Sequence, residues 1–160
     1  MARFVTKTIR DALITSLASA SFTSFELVRI FKGFDPRRLM ENSEFPFAVV
    51  SMRSSSTGEG QIGGSLLGLH RCSITVFCKY SENQEPDDFR LDIGKELYDW
   101  LCDNKVSAGV YLVSFDAFTG GAPTIDYSPQ EEQLFQYQDL VIAVRIDFSI
   151  QQPSYFNLNA

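Results

Sequence analysis

The chain of 160 residues has a single histidine, and that scarcity removes most nucleophilic and metal chemistry at once. A Ser-His-Asp or Cys-His arrangement needs an imidazole to take the nucleophile's proton, so any such catalysis would rest on His70. No partner signal surrounds His70, and the expected reading is a surface or strand-edge histidine. Cys72, Cys78 and Cys102 form an odd set without a CxxC pair, too dispersed to build a Zn site with one histidine. Cys72 and Cys78 share one strand face, too distant along it to bond. All three are expected as reduced thiols packed like small hydrophobes. No stretch approaches the ~20 apolar residues that span a bilayer, and Met1-Ala2-Arg3-Phe4 has no long apolar run behind it. These absences predict a soluble protein made in the cytoplasm, with no enzymatic activity, metal, cofactor or membrane partner.

Positive charge is also short: 14 Lys and Arg face 20 Asp and Glu, a formal charge of −6. Phosphate affinity comes mainly from Lys and Arg, so sequence-specific nucleic-acid binding is not expected. The balance is uneven. Residues 1–40 hold Arg3, Lys7, Arg10, Arg29, Lys32, Arg37 and Arg38 against three acids, whereas the rest carries a net −10. A chain so divided can pack head to side against copies of itself; two separately solvated faces are the alternative. Fourteen Phe are present, compatible with both a core and buried subunit interfaces.

At this length one domain can bury a core without staples. Val5, Ile9, Leu13 and Leu17 recur at helical spacing and predict a helix over 4–20. Residues 25–32 and 45–52 read as strands, with a short helical turn at 35–40 opened by Asp35 and Pro36. Phe45, Phe47 and Phe118 read as core, with contact residues as the alternative. Residues 69–80 alternate, with Cys72, Ile74, Val76 and Cys78 on one face and Arg71, Ser73, Thr75 and Phe77 on the other. Glu85, Asp87 and Asp88 open a second helix, whose buried stripe is Phe89, Ile93, Leu97, Trp100 and Leu101. Residues 82–103 carry eight acids and two bases, so its outer face is negative. Strands at 110–118 and 140–150 follow, the last with core on one side and water or a partner on the other. The fold class is α+β: a mostly antiparallel sheet of about five strands flanked by two main helices. The expected organisation is one domain over 1–152, with a long loop at about 53–68 and a C-terminal tail at 153–160.

Gly58-Glu59-Gly60-Gln61-Ile62-Gly63 matches GxGxxG, but dinucleotide binding requires that pattern to open a helix. Here Ser65 to Gly68 lead into a strand, and the glycine- and serine-rich setting reads as a hairpin loop. Asp87, Asp88, Asp92, Glu96 and Asp99 lie opposite the apolar stripe of their helix, on a solvated side without the shelter acid/base catalysis needs.

The initial helix, the FPFAVVSMRS strand, the TGEGQIGGSLLG loop, the LHRCSITVFCKY strand, the DDFRLDIGKELYDWLCDN helix and the YLVSFDAF and QYQDLVIAVRIDF strands follow an order that resembles the tail-terminator (tail-completion, neck) proteins of tailed bacteriophages. The resemblance covers nearly the whole chain and rests on architecture, not on a signature motif. It implies a virion protein forming a ring, hexameric in the family, that caps the tail tube, stops its polymerisation and docks the head. The implied partners are further copies of itself, the tail tube protein and a head-completion or connector protein, with DNA passing through an acidic lumen. No catalytic residue is implied. The interface would draw on the projecting hairpin and the tail, through Arg53, Gly58, Gly60, Gly63, Gly64, Arg71, Tyr155 and Phe156. Another neck protein of similar fold, a ligand-binding domain using Gly58 to Gly64, and a host-encoded adaptor are the alternatives.

Overall fold

The computed structural model describes residues 6–33, 44–58, 65–104, 112–114, 122–135 and 140–157. Their order is α1 (Thr6–Ala18), β1 (Arg29–Phe31), β2 (Phe47–Gly58), β3 (Ser65–Lys79), α2 (Pro86–Asn104), β4 (Leu112–Ser114), β5 (Thr124–Asp126), a 3-10 helix (Gln130–Phe135) and β6 (Val141–Asn157). All six strands share one sheet in the order β1-β2-β3-β6, with β4 and β5 end to end on the remaining edge of β6. Only β1 and β2 are parallel. The result is the α+β fold that periodicity implied: a mostly antiparallel sheet, five strands wide, with two main helices. No helix among the described residues is long and apolar enough to cross a membrane.

Both helices pack on one face of the sheet. Ile9, Leu13 and Leu17 of α1 and Ile93, Leu97 and Leu101 of α2 meet Val50, Ile74, Val76 and Ile146 in the main core. Truncating one such residue to Ala costs about 2–5 kcal/mol. Pro86 at the head of α2 needs no hydrogen-bond partner, and Asp87 and Asp88 sit at the positive end of its dipole.

The opposite face is also covered at one end, where water or a partner was expected. The 3-10 helix delivers Phe135 onto Phe77 and Phe47, with ring centroids 4.9 and 5.7 Å apart. Phe45, Val49 and Ala143 complete this second core, which makes Phe45 and Phe47 core residues. Phe118 and the expected helical turn at 35–40 lie outside the described residues.

Three expectations need correction. The strand expected over 25–32 is confined to Arg29–Phe31. Phe25 instead stacks on Phe22 in the main core, and the backbone N–H groups of Thr23 and Ser24 donate to the Glu96 carboxylate rather than to a strand. The loop expected over 53–68 is largely strand, because β2 continues to Gly58 and β3 begins at Ser65. The tail expected from 153 belongs to β6 as far as Asn157, pairing Phe156 with Leu66 and Asn157 with Ser65. Pro153 falls where the β3–β6 register shifts, and a proline without an N–H is tolerated at such a bulge.

Candidate functional site: an arginine-lined depression at the base of a strand arm

The ends of β2, β3 and β6 pair as a three-stranded arm, Gly58 with Leu67 and Leu66 with Phe156. At 15 residues β3 spans about 50 Å, whereas the 13 residues of α1 span about 20 Å. A polar chain closes the core where the arm begins. Ser55 Oγ lies 2.8 Å from His70 Nδ1, and His70 Nε2 lies 2.7 Å from Gln152 Oε1. Thr6 of α1 adds a hydroxyl 3.3 Å from that of Ser55.

His70 is thus neither at the surface nor at an edge: its exposure is 0%, in the middle of the sheet. Serine and histidine stand at nucleophile–base distance, but the third member is a neutral carboxamide, which supports an imidazolium less than a carboxylate does. The arrangement satisfies buried polar groups and orients the ring. No group of three or more His, Cys, Asp or Glu among the described residues could hold a metal ion.

On the other face of the sheet, a β-bulge between Met52 and Ser54 leaves Arg53 as the extra residue. The bulge aims its guanidinium at Ser73 Oγ, 3.1 Å away, and at Glu131 Oε1, 3.2 Å away. Glu131 also accepts two bonds from Arg145 Nη1, at 2.8 and 2.9 Å. Arg145 donates further to Asp147 and Asp126. Burial alone would raise the Glu131 carboxyl, but its backbone hydrogen bond and the Arg145 and Arg53 guanidiniums hold it below the usual carboxylate range. Burial works against the Arg145 charge, and Asp147 and Glu131 more than offset it.

Arg53, Arg145 and Asp147 of this network line a depression of about 340 Å³ together with Arg71, Thr124 and Ser149. Arg71 is exposed at its rim and makes no hydrogen bond or ion pair among the described residues. Of the residues named from sequence, the structure therefore brings Arg53 and Arg71 together. Gly58 ends β2, paired with Leu67, and Tyr155 and Phe156 lie along β6 at the arm. Gly60, Gly63 and Gly64 lie outside the described residues. The chain behind GxGxxG enters β3 at Ser65, so no helix opens on the motif and its resemblance to a pyrophosphate site ends there.

The acids of α2 divide in use. Asp87, Asp88, Asp92 and Asp99 are exposed, as expected. Glu96 is half-buried and accepts the backbone N–H groups of Thr23 and Ser24, a structural task the solvated-face reading missed. Glu131 and Arg145 were also missed. Their only sequence signal was the acid pair Glu131-Glu132 ahead of a strand whose non-core face carries Arg145. No family model matches the chain, and no curated protein matches it.

Proposed function

We infer that this chain is a structural virion subunit, a tail terminator that forms a ring on the finished tail tube, stops its growth and offers the docking surface for the head. One observation carries the reading: the ladder of β2, β3 and β6 continues past His70 and Gln152 as a three-stranded arm, pairing Gly58 with Leu67 and Phe156 with Leu66. Such an arm suits contact with neighbouring subunits or with the tube. The element order of the family is consistent with it, and the net acidic charge suits a lumen through which phosphate slides without sticking.

The test is light scattering coupled to size exclusion, with and without purified tube subunits. A species near six times 18.0 kDa supports the ring. A strict monomer at assembly-level concentration beside tube subunits would sink it. Replacing residues 59–64 by Asn-Gly spares Ser55 and the polar chain, so the monomer should fold and assembly should fall. Unaltered rings would take the arm out of the interface.

A further inference from the structure

We propose that the arginine-lined depression receives the acidic face of α2 from a second copy of this chain, with Arg71 as the principal donor and Asp88 and Asp92 as acceptors. This rests on the ring reading above and names the contact that would hold the ring together.

The receptor side is defined by which donors are still unengaged. Arg145 is committed to Glu131, Asp126 and Asp147, and Arg53 gives its Nε and Nη2 to Ser73 and Glu131. Arg53 Nη1 and the whole Arg71 guanidinium keep their donors without an acceptor among the described residues. Arg53 is held in place by its two bonds, so its remaining N–H groups are preorganised beside Arg71. Planar guanidiniums in that setting match carboxylates in bidentate fashion.

The ligand side is the mirror of this. The two cations of residues 82–103 are engaged inside the subunit: Arg90 bonds the carbonyls of Tyr127 and Ala143 and the Glu132 carboxylate, and Lys95 bonds Asp99. Glu85, Asp88 and Asp92 face outward around a shallow hollow with Phe89, none of their carboxylates in a hydrogen bond or ion pair among the described residues, although Asp92 feels the charge of Lys95. Asp88 and Asp92 stand one turn apart, where like charges repel. A guanidinium from outside relieves that repulsion, and Phe89 offers an apolar surface for its stem.

The two patches lie on opposite sides of the subunit. Arg71 alternates with Cys72, which packs into the helix-covered core, so the arginine projects from the face that α2 does not cover. A contact between them cannot be self-complementary. It is head to tail, the kind that closes into a ring or runs on as a filament.

The test is charge reversal with full-length protein. Arg71→Glu and the pair Asp88→Lys, Asp92→Lys are each followed by light scattering and by thermal melting. Both variants should melt as folded domains, because the altered residues are exposed. Each alone should lose the assembled species or raise its dissociation concentration at least tenfold. A 1:1 mixture of the two should recover assembly, since every contact then joins opposite charges. If wild type assembles and Arg71→Glu assembles equally well, or if the mixture fails to recover, this contact is wrong and the ring reading survives. If wild type stays monomeric beside tube subunits, both fall.

Discussion

His70 and Gln152 meet diagonally across the β3–β6 ladder, 2.7 Å apart, because the residue directly opposite Gln152 is Gly68, which brings no side chain. Gln152 Oε1 can only accept, so Nε2 donates to it, and Nδ1 is left to the Ser55 hydroxyl. Gln152→Leu removes that acceptor from a buried ring, and the expected cost is about 1–3 kcal/mol in urea unfolding. Ser55→Ala should cost about 1 kcal/mol, and the two should be non-additive because they share the ring. Additive losses would mean the two bonds do not act through one oriented imidazole.

Thiol reactivity should separate the cysteines by burial. Burial pushes the Cys72 thiol up to about 12 and the Cys78 thiol up as well, so neither supplies thiolate at neutral pH. Cys102 is half-buried. Native protein should react with Ellman's reagent rapidly at one thiol, with the other two appearing only in denaturant. Two or three fast equivalents would show that the core around Ile74 opens readily.

The parts of this architecture legible in the sequence are those with a period. Leu13, Ile93 and Ile146 repeat at helical or strand spacing because each element has one face against the same core, and all three are buried. What stayed hidden depends on distance in sequence. Gln152 reaches His70 across 82 residues, and nothing near His70 announces it. The three residues of β5 and the six of the 3-10 helix are too short for a period to register. Strand ends were misjudged for a different reason. Serine, glycine and proline from 54 to 58 and at 153 carry loop propensity, yet ladder pairing on adjacent strands outweighs it. Arg53 and Arg71 were named for their position near the hairpin, but the bulge that points Arg53 at Glu131 leaves no mark on the sequence.

Gly94 of α2 packs against Tyr127 and against Ile125 of β5. A β-carbon there would lie 2.5 Å from Tyr127 Cε1 and 2.9 Å from Ile125 Cγ2. Alanine gains about 1 kcal/mol of helix propensity over glycine, while overpacking costs about 1–3 kcal/mol, so Gly94→Ala should be net destabilising by about 1 kcal/mol. In a Tyr127→Ala background the nearest obstruction is gone and only the Ile125 contact remains, so the same substitution should cost less. A full double-mutant cycle reads the difference. An unchanged cost in both backgrounds would place the strain elsewhere.

Glu131 makes stability depend on acid in a predictable direction. Its folded value lies below the ordinary carboxylate range, so its contribution is complete above that range and is lost as pH falls through the lower folded value. Glu131→Gln keeps the shape but gives up the charge-assisted bonds to Arg145 and Arg53, with an expected loss of about 1.5 kcal/mol at neutral pH. Below the folded value the wild-type carboxyl is itself protonated, so the gap between the two proteins should close there. Urea titrations stepped down from pH 7 follow the gap as it narrows. A gap as wide in acid as at neutrality would mean Glu131 stabilises the fold by packing and not through its charge.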